Sequence, residues 1–229
     1  MRRIINEFVS NMRPLDGYIN KENKQIKSMS LIRSNLPFKM SETEINYLLT
    51  NHIKTIIDFR TSDEINNKPS ILNNNKFNYY NISLKGHKCP KYEKDIPSGY
   101  IEIIDDKEKI KEVLMLILNS KTNVLYHCTS GKDRTGVITM LIMLILNCYE
   151  KDIIADYSLS YSYIYDDIKK FHELNPKLPK FIGNSKPSYM LKTLKLFFDK
   201  YKTIDNYLNY LDLPSNFKEE FQKKYLGDL

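Results

Sequence analysis

The chain has 229 residues, of which 41% are hydrophobic and 28% are charged, and its formal net charge is +7. This composition predicts a folded globular protein with one domain over residues 1–229, and it excludes a disordered or fibrous chain. The three cysteines, Cys89, Cys128 and Cys148, are too few and too far apart for a disulfide framework or a zinc site, so we expect no metal and no cofactor.

The charge excess favours acidic partners such as phosphorylated proteins or anionic inositol lipids, unless it is simply a solvated lysine surface. The lysines are scattered and form no long block, so we expect no nucleic-acid partner. The segment MRRIINEFVS has no apolar run of the kind found in secretory signals, and the apolar stretch Val137–Leu146 is too short to span a bilayer. We therefore expect a cytoplasmic protein without a transmembrane segment, with export left open; no pattern indicates the oligomeric state.

The first half of the chain alternates helical and extended patterns. SETEINYLLT (41–50) opens with a capping box, Ser41 followed by Glu44, which predicts a short helix. KTIIDF (54–59) and FNYYNISL (77–84) are typical of strands, and DDKEKIKEVLMLILNS (105–120) has apolar residues at helical spacing.

The second half continues this alternation and then becomes almost wholly helical. NVLYH (123–127) predicts a strand, and Thr135 to Asn147 predicts a buried helix that is apolar nearly all round. Residues 150–229 form a helical C-terminal part, within which residues 161–187 are a candidate lid that ends in a Pro- and Gly-rich loop. The order of elements predicts an α/β fold, a central sheet flanked by helices.

The stretch HCTSGKDRTGV (127–137) joins the last predicted strand to the buried helix. A tight loop in this position turns successive N–H groups inward, and the helix N-terminus adds partial positive charge, so the loop is suited to a phosphate-sized anion. Glycines allow the backbone to approach such a ligand closely. The predicted phosphate-binding residues are Thr129, Ser130, Gly131, Lys132, Asp133 and Arg134.

Cys128 begins this loop and Arg134 follows six positions later. A thiol at a helix N-terminus among N–H donors ionises readily, and its thiolate can attack phosphorus. The planar guanidinium of Arg134 can hold two phosphate oxygens. The pair therefore predicts nucleophilic catalysis on a phosphomonoester.

The string HCTSGKDRTG resembles the C-x5-R loop of the cysteine phosphatases, and within them the bacterial tyrosine and phosphoinositide phosphatases of the mycobacterial PtpB-like and listerial LipA-like group. Further segments are similar to that group: NMRPLDGY (11–18), IRSNL (32–36), IIDFRTSDE (56–64) and DIIADYSLS (152–160). The resemblance implies a tyrosine-phosphatase-like fold and hydrolysis through a phosphocysteine intermediate, with protein phosphotyrosine as the favoured substrate.

The leaving oxygen needs a proton donor. Many related enzymes use an aspartate in a Trp-Pro-Asp loop, which is absent here because the chain has no tryptophan. The resemblance implies Asp133, inside the loop, as the acid. Asp133 as a structural carboxylate is the alternative, with Asp95, Asp105 and Asp106 as rival acids.

The resemblance also implies supporting residues. His127 fixes the loop and favours ionisation of the cysteine, and Thr135 caps the helix and donates a hydrogen bond to the sulfur. Lys132 either adds positive charge over the substrate, as in enzymes acting on inositol lipids, or is a solvated side chain. Asp58 and Arg60 line or brace the pocket, or form a structural pair.

Three alternatives to a phosphotyrosine phosphatase remain at this point. The first is a phosphoinositide phosphatase, favoured by Lys132 and the basic charge balance. The second is a phosphate-binding module without turnover. The third is a redox-sensing thiol protein, in which Cys89 could form a disulfide with Cys128.

Overall fold

The computed structural model describes Ile4, residues 9–85 and residues 90–228. The strands are β1 (Arg13–Pro14), β2 (Gln25–Ile26), β3 (Leu31–Ser34), β4 (Ile53–Asp58), β5 (Asn78–Asn81), β6 (Asn123–His127) and β7 (Leu226–Gly227). The α-helices are α1 (Glu42–Thr50), α2 (Ser62–Asn67), α3 (Ile96–Ile104), α4 (Lys107–Asn119), α5 (Asp133–Ile145), α6 (Glu150–Tyr163), α7 (Tyr165–Leu174), α8 (Pro187–Tyr201), α9 (Ile204–Tyr210) and α10 (Phe217–Tyr225).

The central sheet has the strand order β1-β3-β6-β4-β5, and β2 pairs separately with β7. Within the central sheet β1 is antiparallel to β3 and the other pairs are parallel. His127 at the end of β6 is in register with Ser34 on one side and Asp58 on the other. Three strands therefore end together, and the segments that follow them meet at the carboxyl edge of the sheet, where α/β proteins gather their sites.

Both faces of the sheet are covered. Successive strand residues point to opposite sides, so Ile57 and Tyr126 join one apolar core while Ile56 and Leu125 join the other. The larger core lies among the helices from α3 onward, and the smaller core includes Leu48 of α1. The predicted α/β fold, a tyrosine-phosphatase-like central sheet flanked by helices with a mostly helical C-terminal part, is confirmed.

Helix α5 is the central buried helix, as its sequence predicts. Every residue from Arg134 to Ile145 is buried. The helix begins at Asp133, two residues before the predicted start at Thr135, because the loop after β6 is shorter than expected. An acidic residue in the first turn suits the positive end of the helix dipole.

Most other elements lie where the sequence places them, with shorter bounds. The capping box of α1 forms, since Ser41 Oγ accepts from Glu44 N and the Glu44 carboxylate accepts from Ser41 N. The sequence analysis missed α2, α3 and the short strands β1, β2, β3 and β7. Helix α3 has Pro97 in its first turn and Gly99 just after it, which resemble turn signals although proline is tolerated at a helix start.

The candidate lid segment, residues 161–187, contains α7 and a loop that returns to α8. Ser185 fastens this loop to α6, because its hydroxyl donates to Ser158 O (3.1 Å) and accepts from Tyr161 N (2.8 Å). His172 Nε2 lies 2.8 Å from Ile182 O. In the described part of the chain, no helix is long and apolar enough to cross a membrane.

Candidate active site

The loop between β6 and α5 lies against the end of β3. Gly131 has φ +68°, a left-handed conformation that glycine adopts without strain. A Cβ atom at this position would come within 2.5 Å of Asn35 N and would also overlap Ser34 O. Gly131 is therefore required twice, for its backbone angle and for the closeness of the loop to β3.

The scaffold holds the carbonyl groups of the loop from behind. Leu36 N donates to Thr129 O (3.0 Å), Asn11 Nδ2 to Ser130 O (2.9 Å) and Arg33 Nη2 to Gly131 O (2.7 Å). In a planar trans peptide the N–H of the next residue points opposite to the carbonyl. The N–H groups of residues 130, 131 and 132 are therefore turned away from the scaffold, which is the arrangement of an anion-binding nest.

Cys128 begins the loop and is 2% exposed, while His127 before it is fully buried. The His127 ring places Nδ1 3.2 Å from Cys128 O, so Nδ1 carries the proton of that hydrogen bond. Burial lowers the pKa of His127, although the neighbouring charge of Asp58, 3.6 Å from Nε2, acts in the opposite direction. A neutral imidazole therefore braces the backbone at Cys128.

Arg134 forms a two-pronged ion pair with Glu64. Nη1 donates to Glu64 Oε2 (2.7 Å) and Nη2 to Glu64 Oε1 (2.7 Å), and Thr129 Oγ1 donates to the same carboxylate (2.6 Å). Burial alone disfavours the charged guanidinium, but the hydrogen bonds of Glu64 and the nearby Cys128 and Glu64 charges outweigh it and raise the pKa of Arg134. Arg134 is thus a fixed cation.

The Glu64 carboxylate occupies the end of the guanidinium. The side edge of the guanidinium, formed by Nε–H and the second N–H of Nη2, does not contact Glu64. On this edge Nη2 donates to Thr129 Oγ1 (3.3 Å). Burial raises the pKa of Glu64, but hydrogen bonds from Arg134 and Thr129 dominate and hold it at about 2. From the sequence, Glu64 was identified only as part of the IIDFRTSDE segment. The sequence pattern that could have singled it out is the Thr61–Glu64 capping box, which forms at the start of α2.

Asp133 lies in the first turn of α5, and a chain of buried tyrosines holds it. Tyr100 Oη donates to Asp133 Oδ1, and Tyr100 and Tyr157 share a hydrogen bond of 2.7 Å. Burial, followed by the charge of Asp133, raises the pKa of Tyr100 well above its usual range, so Tyr100 stays a donor. The side chain of Asp133 is 25% exposed, so solvent reaches the carboxyl group.

Lys132 is buried beside the cleft rather than solvated. The residue is 6% exposed, and its Nζ donates to Asn184 O (3.0 Å) and lies 3.4 Å from Asp133 Oδ1. It is therefore not a solvated side chain. Lys132 ties the predicted phosphate loop, Cys128 to Arg134, to the loop before α8.

Two of the three rival acids line a separate cavity. Asp105 accepts from Lys200 Nζ (2.6 Å) and from Tyr201 Oη, and with Asp106 it lines a separate cavity of about 360 Å³. Asp95 precedes α3 directly. Of the acids weighed from the sequence, Asp133 is the one that belongs to the loop itself.

Three supporting residues are buried around the site. Thr135 is the third residue of α5 and not its cap; its Oγ1 has no hydrogen-bond partner among the described residues. Asp58 and Arg60 pair with each other, with Arg60 Nη2 2.6 Å from Asp58 Oδ2. Arg60 Nη1 also donates to Lys68 O (2.6 Å), so this pair braces the C-terminal end of α2, the helix that carries Glu64.

A cleft of about 520 Å³ opens beside the loop. Its lining combines the loop residues Thr129, Ser130, Lys132 and Asp133 with the apolar side chains Leu36, Phe38, Ile164, Ile168, Phe171 and Ile182, and with Asn35, Lys68, Asp167 and Gly183. The segment 161–187 thus forms one wall. The sequence analysis missed Asp167, because nothing in its local pattern separates it from other acidic residues on a helix surface.

Two cysteines lie within the described residues, Cys128 and Cys148. Cys148 is buried, and burial, assisted by the charge of Asp152, raises its pKa to about 12. It is therefore an inert core thiol. Cys89, considered as a redox partner of Cys128, lies outside the described residues.

Comparison with known proteins agrees with the loop motif. The chain is 29% identical over 136 residues to a tyrosine-protein phosphatase of Nostoc commune, covering 55% of this chain and 46% of the relative. It is 26% identical over 166 residues to a putative tyrosine-protein phosphatase of Cupriavidus necator, covering 66% and 60%. The chain thus spans about half to three fifths of the length of these relatives.

Solved structures give more distant likenesses. Pseudomonas aeruginosa TpbA matches at 14% identity over 79% of this chain and 98% of that one, with a TM-score of 0.42. The core catalytic domain of the PP-IP phosphatase SIW14 from Saccharomyces cerevisiae matches at 18% identity over 77% and 97%, with a TM-score of 0.40. Likeness at this distance says nothing about substrate.

The decisive comparison covers nearly the whole chain. The family model described as "Tyrosine phosphatase family" matches residues 6–227, which include the phosphate loop, Glu64 and the helical C-terminal part. The chain belongs to the tyrosine phosphatase family.

Proposed function

We propose that this protein is a cysteine-dependent phosphatase that hydrolyses phosphomonoesters through a phosphocysteine intermediate, with protein phosphotyrosine as its substrate class. The observation that carries the proposal is the loop from Cys128 to Arg134. Hydrogen bonds from the scaffold hold its carbonyl groups. In this proposal Cys128 at its start is the nucleophile, and Arg134 at its end is the cation that binds phosphate. Within the family, the string HCTSGKDRTG favours the PtpB-like and LipA-like group.

In this proposal the substrate's phosphate enters the nest of loop N–H groups. The side of the Arg134 fork binds the equatorial oxygens, while Glu64 keeps the other edge and fixes the orientation of the guanidinium. The Cys128 thiolate attacks phosphorus, the P–O bond to the leaving group breaks, and a phosphocysteine forms. Water then attacks the phosphorus, the S–P bond breaks, and the thiolate returns with release of inorganic phosphate.

Asp133 supplies the proton to the leaving oxygen in the first step and accepts a proton from water in the second. Its support is positional: it belongs to the loop, borders the cleft and is held by Tyr100. Thr135 assists departure of the thiolate, since its buried hydroxyl has no partner in the described part of the chain and can turn toward sulfur. His127 braces the loop and transfers no proton.

The cleft favours an aromatic phosphomonoester. Its charged lining residues, Lys68, Lys132, Asp133 and Asp167, cancel in formal charge. Lys68 Nζ lies 3.5 Å from the centre of the Phe38 ring, and Lys132 is already bound to a carbonyl. An apolar wall suits a phenyl ring better than a polyphosphorylated inositol.

A phosphoinositide is the second candidate substrate, and the two lysines in the cleft lining are the observation in its favour. A phosphate-binding module without turnover is disfavoured because Cys128, Asp133 and Arg134 all belong to one loop. We further propose that residues 1–229 form a single phosphatase domain, and that residues 161–187 act as a lid over the cleft they line.

Phosphate release separates these possibilities. The full chain is assayed on a phosphotyrosine peptide, a phosphoserine peptide and inositol-lipid vesicles, with EDTA present and absent. We expect turnover of the phosphotyrosine peptide, unaffected by EDTA, and none in Cys128→Ser, which should still bind the peptide because serine keeps the size of the side chain but not its thiolate. Residual turnover above a few per cent in Cys128→Ser would remove Cys128 as the nucleophile; faster release from the lipid would select the second candidate.

A further inference from the structure

Three segments that resemble the phosphatase family meet in one buried group. Arg13 comes from NMRPLDGY, Arg33 from IRSNL and Asp156 from DIIADYSLS, and each is at most 1% exposed. Arg13 Nε donates to Asp156 Oδ1 (2.9 Å), and Arg33 Nη1 donates to Asp156 Oδ2. We call Arg13, Arg33, Asp156 and Ser160, which accepts from both arginines, the arginine cluster.

The arginine cluster carries more positive than negative charge. Among the described residues, Asp156 is the one carboxylate that ion-pairs with either arginine. Arg13 otherwise donates to Asn11 and Ser160, and its guanidinium lies 5.3 Å from the centre of the Tyr163 ring. A buried cation in excess is costly and needs a reason beyond stability.

Arg33 is the member of the arginine cluster that touches the phosphate loop. Its Nη2 donates to Gly131 O (2.7 Å), while Nη1 holds Asp156 at the other side of the same rigid fork. Because the peptide that joins Gly131 to Lys132 is planar, fixing the carbonyl also fixes the direction of the Lys132 N–H. The planar guanidinium thus links α6 to one donor of the anion nest.

We propose that Arg33 is a positioning residue for catalysis: through Gly131 O it aims the Lys132 N–H at the substrate's phosphate, and Asp156 holds Arg33 in place for this task. The proposal rests on the proposed function of the loop. It explains why an arginine is needed, since one nitrogen must reach the carboxylate while another reaches the loop. It also gives the segments around Arg13, Arg33 and Asp156 a shared role that no local sequence pattern reveals.

Tungstate, a tetrahedral oxyanion, is the probe, and its Kd is measured by calorimetry on the full chain. Arg33→Lys keeps the positive charge but has a single nitrogen. That nitrogen should bind the charged Asp156 carboxylate rather than the neutral carbonyl of Gly131. We expect its Kd to rise at least about tenfold, because one preorganised donor is lost. Arg33→Met should lose at least as much. Ser160→Ala is the matched control, since it removes a partner of the arginine cluster and leaves the bond to Gly131; its Kd should stay within about twofold.

The outcomes are distinct. Tight tungstate binding in Arg33→Lys would overturn the proposal and assign the effect to charge alone. Equal weakening in Ser160→Ala would also overturn it, by showing a general loosening of the fold. If Arg33→Met does not fold, Arg33→Lys still decides. Failure of the unmodified chain to bind tungstate would refute the proposed function itself, which separates the two failures. The second readout is kcat/KM for an aryl phosphate, which should fall in Arg33→Lys together with its affinity for tungstate. The melting temperature of Arg33→Lys should match that of Ser160→Ala.

Discussion

Substitution of Gly131 by alanine tests whether the phosphate loop depends on its close approach to β3. At φ +68° an alanine is strained by about 1–2 kcal/mol, since a Cβ atom crowds the carbonyl in the left-handed region. The new Cβ would also lie within 2.5 Å of Asn35 N, a backbone atom that cannot rotate away, which adds about 1–3 kcal/mol of overpacking. The free energy of unfolding should therefore fall by about 2–5 kcal/mol.

For a domain of this size each kcal/mol lowers the melting temperature by about 2–4 °C, so Gly131→Ala should melt about 4–20 °C below the unmodified chain in a calorimetric scan. Gly183→Ala is the matched control. Gly183 has φ +97°, but its added Cβ meets only the side chain of Ile168, at 3.0 Å, and that side chain can shift. The control should lose about 1–2 kcal/mol. Phosphatase activity of Gly131→Ala should fall by more than about a hundredfold, because the N–H groups of the nest move. A melting temperature and turnover like those of Gly183→Ala would refute the reasoning.

Three further predictions follow from the site. Asp133→Asn should slow hydrolysis of a phosphotyrosine peptide by about 10²–10⁴-fold, and far less for an aryl phosphate whose leaving group departs as an anion; equal loss on both in steady-state assays would make Asp133 a structural brace. Glu64→Gln should lower kcat/KM about tenfold, because Arg134 loses its charged partner; unchanged kinetics would mean that Arg134 needs no brace. The pKa of Glu64 is about 2 in the folded protein against 4.5 in the unfolded chain, so its contribution to stability is full above pH 4.5 and is lost as the pH falls toward 2. Acid unfolding followed by circular dichroism should therefore be shallower over that interval in Glu64→Gln, and an identical slope would contradict the ion pair.

Local patterns were sufficient for the elements whose residues decide their own conformation. The Ser41–Glu44 capping box fixes the start of α1 because its hydrogen bonds close within four residues. The apolar sequence of α5 required burial, and the structure buries it. The spacing of Cys128 and Arg134 around Gly131 was likewise visible, since a loop of this length between a strand and a helix has few alternatives. Helix α3 was missed because the proline and glycine near its start carry the same local signal as a turn.

The sequence by itself predicted the α/β class, which the structure confirms, and a phosphate loop with Cys128 as nucleophile and Arg134 as cation, since these predictions depend on hydrophobic periodicity and on residues close together in the chain. Only the tertiary structure decided what holds that loop. Glu64 reaches Arg134 from 70 residues away, Arg33 reaches Gly131 from 98, and Tyr100 reaches Asp133 from 33. The cleft wall from α7 and the hydrogen bond from Lys132 to Asn184 are also contacts between segments distant in the sequence. Such contacts arise because parallel strands end at one edge of the sheet and bring distant segments together there, and no local pattern in the chain encodes which segments will meet.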